Sequence, residues 1–171
     1  EESKTINLNI KNNNEINLSI KNQAECSLNI ESQGIENANI SLNSNSEIYD
    51  QLNLHLSDNI ESLVIESVNL HGNGTITVSK IGDTEKKVDV KINNLIVQPK
   101  TTSKLADLEV SNKIDVYQSA SINVKNVNLN KAQLKVNLLS YAKTIYDTPI
   151  ISGVLGNSPT SIVLNKEGDN S

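Results

Sequence analysis

The side chains that could do chemistry in this sequence are two histidines and a few scattered acids. His55 lies between two leucines, and His71 stands directly before the glycine-rich turn 72–74. Neither histidine has another histidine, a cysteine or a carboxylate at the spacing that a zinc site requires. The chain also contains no Gly-x-Ser-x-Gly nucleophile motif and no glycine-rich phosphate loop. We therefore predict no catalytic residues, no metal site and no cofactor.

The acidic residues raise the question of a carbohydrate-active enzyme, because glycosidases act through paired carboxylates. Asp50 and Asp58 flank a leucine-rich segment, and three further acids follow later, at Asp107, Glu109 and Asp115. In an alternating strand Glu109 falls on the face opposite its apolar neighbours, which is the outer face. No arginine is present to bind the carboxylate of a uronic acid. We predict solvated outward carboxylates and a chain that is not an enzyme.

The composition narrows the function further. The 171 residues carry a net charge of −5 and include 27 asparagines and 51 isoleucines, leucines and valines, but no Phe, Met, Trp or Arg. An acidic chain without arginine has little with which to hold nucleic-acid phosphates. The apolar residues form no run long enough for a transmembrane helix. Their abundance nevertheless favours a packed core over a disordered chain.

A ten-residue repeat at the start of the chain sets the architecture. Residues 5–10, 15–20 and 25–30 alternate apolar and polar positions, and polar segments separate them. This alternation predicts short strands with one buried face, joined by turns in which asparagine is well tolerated. Cys26 takes the position in its unit that Ile6 and Ile16 take in theirs. We therefore predict that it is a small, buried, apolar side chain.

A second period of about twenty residues appears later, in triplets with apolar first and third residues that begin at Leu95, Ile114 and Leu134. Twenty is twice ten, so the early repeat can be half of this unit. Both periods favour an all-β parallel β-helix, in which inward aliphatic residues stack into ladders and turn asparagines stack into columns. The alternative that remains is an antiparallel β-meander or sandwich.

Several segments depart from the repeat. Residues 75–92 contain two alternating arms around a turn at Gly82, which predicts a hairpin that protrudes from the solenoid. Residues 98–104 form a polar loop with a proline, which can act as a hinge. Tyr141 and Tyr146 gather close to a pair of predicted strands, at 148–154 and 161–164, that close the end. We predict one solenoid domain over residues 1–171, as a fragment of a longer protein.

The chain resembles the passenger domains of Gram-negative autotransporters, the proteins of type V secretion. The resemblance is carried by the repeats from Thr5 to Ile30, by the segment from Ile114 to Leu138 and by the block from Tyr141 to Gly156. It implies a right-handed β-helix that is secreted across the outer membrane and displayed at the bacterial cell surface. It transfers no functional residue to this sequence.

From this resemblance we expect a surface-exposed adhesion module, associated with virulence, that binds host or neighbouring cells noncovalently. Its expected contact features are the 75–92 hairpin, the 98–104 loop and the Tyr141/Tyr146 patch. Open solenoid ends also allow end-to-end or side-by-side association of copies. The alternative function is a segment of a pore-forming or vacuolating toxin, and a carbohydrate-active enzyme is the least favoured.

Overall fold

The structure is a computed structural model that describes residues 3–11, 15–34, 36–82, 84, 86–98, 112–117, 119–128, 133–139, 151–155 and 161–167. Within these ranges the regular structure is entirely β-strand. The strands are β1 (Lys4–Lys11), β2 (Glu15–Ile16), β3 (Lys21–Asn22), β4 (Cys26–Gln33), β5 (Ala38–Ile48), β6 (Gln51–Leu56), β7 (Ile60–His71), β8 (Thr75–Lys80), β9 (Val88–Gln98), β10 (Asn112–Tyr117), β11 (Ser119–Asn128), β12 (Gln133–Leu139), β13 (Ile151–Leu155) and β14 (Ser161–Glu167).

The strands form two parallel sheets between which the chain alternates. Sheet A has the order β1-β4-β6-β8-β10-β12-β14, and sheet B has the order β2-β5-β7-β9-β11-β13, with β3 also paired to β5. Each turn of the chain therefore adds one strand to each sheet, on the strand from the previous turn. The predicted parallel β-helix is confirmed, and the antiparallel meander or sandwich is wrong for the described strands.

The register explains the ten-residue repeat. Lys4 in β1 pairs with Cys26 in β4, whereas Ile16 in β2 pairs with Leu42 in β5. The first and third units therefore lie in sheet A and the second lies in sheet B. Two units fall within one turn, but each turn is longer than twenty residues, since Ile6 aligns with Leu28 and Glu15 with Ser41. The predicted period of about twenty residues is wrong for the step from Leu95 to Ile114, because Leu95 lies in sheet B and Ile114 lies in sheet A.

Aliphatic ladders fill the space between the sheets. In sheet A, Ile6 aligns with Leu28, Leu54 and Val78 on successive turns. Sheet B contributes parallel ladders of the same kind, for example Ile40, Leu63 and Val90. These positions are buried except for Ile6, which lies in β1, the outermost described strand of sheet A. Small aliphatic side chains suit this narrow interior because each one packs on its equivalent a single strand spacing away.

Asparagines stabilise the stack along its outside and at its corners. On the outer face of sheet A, the Asn29 amide donates to Asn7 Oδ1 at 2.8 Å, which joins two successive turns. At a corner, Asn22 is buried, accepts from the Tyr49 backbone N–H at 2.9 Å and donates to the Gln51 carbonyl at 3.2 Å. Asparagine thus links turns through side-chain amides, as expected, but on strand faces as well as in corners.

The predicted hairpin at 75–92 is wrong. Strand β8 pairs in parallel with β6 and β10 in sheet A, and β9 pairs in parallel with β7 and β11 in sheet B. The two arms therefore belong to opposite sides of the solenoid. Gly82 has a φ of +83° in the corner that joins them. Alternating arms around a glycine turn are compatible with a hairpin or with a corner between two parallel sheets. The pairing of β8 and β9 with strands of adjacent turns shows that this segment is a corner.

The remaining segment predictions are resolved in part. The expected terminal strands exist as β13 and β14, in sheets B and A respectively. Only Gln98 of the 98–104 loop belongs to the described residues, as the last residue of β9. The Tyr141/Tyr146 patch, Asp107 and Glu109 lie outside the described residues. Asp115 lies in β10 and is aligned with Thr77.

Candidate functional site

A cluster of four outward side chains lies where two adjacent strands of sheet B end. Ile48 and Leu70 are paired across β5 and β7 and point into the core, where both are fully buried. Strand alternation turns their neighbours to the outside. Glu47 and Tyr49 flank Ile48 and therefore meet Asn69 and His71, which flank Leu70. We call these four residues the corner site.

The contacts within the corner site hold the histidine on two sides. The Asn69 amide donates to Glu47 Oε1 at 2.8 Å, and His71 Nε2 donates to the other carboxylate oxygen of Glu47. The rings of Tyr49 and His71 stack with their centroids 4.3 Å apart and an interplanar angle of 5°. Tyr49 nevertheless remains 37% exposed. The site therefore offers an immobilised aromatic ring beside a carboxylate.

The same contacts determine the charge state of Glu47. Partial burial opposes its ionisation, but hydrogen bonds from His71 and Asn69 and the charges of His71 and Lys21 outweigh that effect. The pKa of the Glu47 carboxyl is therefore held below its usual value. Glu47 is ionised at neutral pH and acts as the acceptor that orients the imidazole.

The glycine-rich turn after β7 places His71 beside Tyr49. Gly72 adopts a φ of +55°, and the Gly74 N–H donates to the His71 carbonyl at 2.7 Å. A Cβ at Gly74 would meet the carbonyl oxygen of Ile48, so only glycine lets the turn pack against the preceding corner. The glycine-rich turn is evident in the sequence, but its role in the corner site follows only from the close approach of Gly74 to the Ile48 carbonyl oxygen.

The residues that were considered for catalysis each have a separate hydrogen-bond partner in the structure. His55 is half-buried on the outer face of sheet A, as its alternation predicted, and its Nδ1 contacts Ser79 Oγ at 3.0 Å. Asp50 accepts from the Gln51 N–H at 2.7 Å. Asp58 accepts from Thr84 and pairs with Lys86 at 3.0 Å. Among the described residues no three His, Cys, Asp or Glu side chains come together as metal ligands.

Cys26 is partly buried against the core, so the prediction of a buried, apolar cysteine is right only in part. It aligns with Lys4 and Leu52 and not with Ile6, because the turn from β1 to β4 is two residues longer than two ten-residue units. Its side chain also lines a cavity of about 690 Å³ between β1 and the segment 18–28.

A buried lysine was missed by the sequence reasoning. Lys80 aligns with Leu56 in the inward ladder and is only 5% exposed. Its Nζ donates to the backbone carbonyls of Asp58, at 3.0 Å, and of Ile60. Burial lowers the pKa of Lys80, and the nearby Asp58 carboxylate raises it only in part. The alternation of Ile76, Val78 and Lys80 was the available signal, since it places Lys80 on the inner face.

Comparison with known proteins adds no family to this geometry. No protein-family model matches the chain, and neither the curated proteins nor the solved structures contain a match. In the part of the chain that the structure describes, no helix has the length and apolar character to cross a membrane.

Proposed function

We propose that this chain is a noncovalent binding module that presents the corner site on the side of a rigid β-solenoid. The observation that supports this proposal is the exposed ring of Tyr49, which stacks on His71, while His71 in turn is held by Glu47 and Glu47 by Asn69. The resemblance to autotransporter passengers supports a location at the bacterial cell surface, where the module would contact host or neighbouring cells.

Tyr49 has the properties of a recognition residue. Tyrosine combines a large apolar ring with a polar hydroxyl and is enriched at protein interfaces. Among the residues whose side chains the structure describes, the large apolar or aromatic ones that are exposed are Ile6, Tyr49 and Ile81. Of these, Tyr49 alone is aromatic and stacked on a second ring. Because its ring is already ordered, a partner would lose little side-chain entropy by binding it.

The solenoid itself supports a binding role. Each strand of the described sheets packs on its equivalent in the next turn, so the corner site is mounted on a continuously hydrogen-bonded frame. The net charge of −5 favours partners that expose cationic or neutral polar groups over nucleic acids. Glu47 adds a local acceptor for such groups.

The test compares Tyr49→Ala with Ile81→Ala. The two side chains are 37% and 38% exposed, so both variants remove a similar kind of exposed apolar surface at different corners. We expect Tyr49→Ala to weaken binding of the labelled chain to cultured cells by about tenfold or more, as loss of an interface anchor does. Ile81→Ala should bind as the unmodified chain does.

Two results would contradict this proposal. One is unchanged cell binding by Tyr49→Ala, and the other is an equal loss in both variants. Circular dichroism and urea unfolding of each variant establish that the fold is intact, so that a loss of binding reflects the surface and not the frame.

A further inference from the structure

The corner site directs two of its hydrogen-bond donors onto its own carboxylate. The Asn69 amide donates to Glu47 Oε1 at 2.8 Å, and His71 Nε2 donates to Glu47 Oε2. A carboxylate has about four lone-pair positions, and these two contacts fill only two of them. The Glu47 side chain is 35% exposed, so a ligand in solvent can reach the remaining positions. The site therefore offers acceptors to a partner.

A surface rich in acceptors favours a ligand that only donates. The ammonium of lysine and the guanidinium of arginine carry several N–H donors and no acceptor, whereas each hydroxyl of a sugar both donates and accepts. Hydrogen bonds between a cationic donor and a carboxylate are also stronger than those between neutral groups. Because Glu47 is ionised at neutral pH, the corner site favours a cationic donor over a neutral one.

The aromatic ring and the carboxylate are close enough for one side chain to contact both. The Tyr49 ring stacks on His71 with the centroids 4.3 Å apart, and the Glu47 carboxylate contacts Nε2 of the same imidazole. Arginine and lysine pack their methylene stems on apolar surface while their charged heads stay polar. A guanidinium is also attracted to an aromatic ring itself. A long cationic side chain therefore matches the combination of Tyr49 and Glu47.

No lysine of the described chain neutralises this carboxylate by direct contact. Lys21 in β3 is aligned with Glu47 in β5, and its charge acts on the carboxylate. Among the described residues, however, the ion pair that Glu47 forms is with His71 and not with Lys21. A cation from a partner could therefore bind Glu47 without displacing an internal lysine, although Lys21 would repel it.

The corner that begins at Ile81 shows the opposite arrangement. There the exposed carboxylate is that of Asp58, which accepts from Thr84 and pairs with Lys86 at 3.0 Å. The chain thus supplies its own cation at this corner. Asp58 is therefore a matched control for Glu47, because it has the same charge but is already paired with a lysine.

We propose that the corner site binds a cationic side chain, an arginine or a lysine, that is exposed on a partner protein. The methylene stem of that side chain lies on the Tyr49 ring, and its charged head donates to the Glu47 carboxylate. This partner class rests on the proposed function, because it specifies what the corner site contacts. The net charge of −5 adds a long-range attraction for a cationic partner.

The first experiment titrates the unmodified chain with two small probes. One is an acetylated and amidated Gly-Arg-Gly peptide, and the other has citrulline, the neutral analogue, in place of arginine. In nuclear magnetic resonance at millimolar peptide, the arginine peptide should shift the signals of Tyr49 and His71, and the citrulline peptide should bind about threefold to fivefold more weakly. Salt at about 0.5 M should weaken binding of the arginine peptide. Equal shifts from both peptides, or no shift from either, overturn the proposal.

The second experiment measures binding of charge variants to cultured cells. Glu47→Gln removes the negative charge and should weaken binding by about threefold to fivefold. Lys21→Gln removes a cation that repels the partner and should strengthen binding by about twofold. The control Asp58→Asn should bind as the unmodified chain does. If Asp58→Asn weakens binding as much as Glu47→Gln, the overall charge and not the corner site attracts the partner, and the proposal is wrong.

The cationic partner and the proposed function fail in different ways. Unchanged cell binding by Tyr49→Ala removes the corner site as a binding surface. If Tyr49→Ala loses binding while Glu47→Gln and Lys21→Gln bind as the unmodified chain does, the site binds a neutral partner such as a sugar, and only the cationic partner is refuted. Circular dichroism of the charge variants checks that they are folded, and the peptide titration needs no variant at all.

Discussion

Replacing Gly74 by alanine tests how tightly the corners of this solenoid pack. A Cβ at position 74 would collide with the Ile48 carbonyl oxygen, and it would also lie 3.0 Å from the Ile48 carbonyl carbon and 3.1 Å from the His71 backbone nitrogen. All three neighbours are backbone atoms, which cannot rotate away as a side chain can. The corner must therefore shift, and the hydrogen bond from the Gly74 N–H to the His71 carbonyl is strained with it.

The magnitude follows from two contributions. Forcing extra volume into a packed site costs about 1–3 kcal/mol, and weakening a backbone hydrogen bond adds about 1 kcal/mol. Gly74→Ala should therefore destabilise the fold by about 3 kcal/mol. Gly72 in the same turn is the matched control, because a Cβ there meets nothing within 4 Å. Its φ of +55° makes alanine cost only about 1–2 kcal/mol.

Urea unfolding followed by far-ultraviolet circular dichroism measures both variants. With a denaturant dependence of about 2 kcal/mol per M, Gly74→Ala should lower the midpoint by about 1.5 M and Gly72→Ala by about 0.5–1 M. The comparison is robust because the chemical change and the turn are the same. If Gly74→Ala costs no more than Gly72→Ala, the close approach to Ile48 does not constrain the corner and our reasoning is refuted.

Three further predictions concern the core and the two groups with a perturbed pKa. Leu54→Ala should cost about 2–5 kcal/mol in urea unfolding, whereas the outward His55→Ala should cost less than about 1 kcal/mol; equal costs would contradict the assigned faces. The lowered pKa of the Glu47 carboxyl stabilises the fold above the ordinary glutamate pKa, and that contribution is lost as pH falls through the lowered value. When the free energy of unfolding is measured against pH, Glu47→Gln should reduce its decrease at acid pH. An unchanged decrease would exclude Glu47 as its source. Because the pKa of Lys80 is lowered, the free energy of unfolding rises with pH between the lowered pKa and the ordinary lysine pKa. The Lys80→Met variant should not show this rise. A rise that persists in the variant would show that another group causes it.

Much of the fold was predictable because strand alternation is a local property. The repeats from residue 5 to residue 30 identify strands, their inward faces and the turns between them without any knowledge of partners. Inward positions such as Leu28 and Ile30 were therefore correct. The prediction of burial was right only in part for Cys26, and the burial of Lys80 was not predicted. The first lines a cavity beside β1, and the second is a charged residue whose ammonium donates to backbone carbonyls.

The hairpin at 75–92 shows why topology was harder to predict. A polar turn between two alternating arms is compatible with antiparallel pairing of the arms or with a corner between two parallel sheets. The choice depends on strands from other turns, since β8 is held by β6 and β10 and β9 by β7 and β11. No pattern within residues 75–92 contains that information.

The corner site was invisible in the sequence for the same reason. His71 was considered alone, and Glu47 and Tyr49 were not considered at all, because more than twenty residues separate them from it. The sequence by itself determined that these side chains point outwards, since each flanks a buried aliphatic residue. Only the tertiary structure decided that they meet, because the register between turns depends on the length of the intervening corners and on packing of the ladders, which together place Glu47 opposite Asn69.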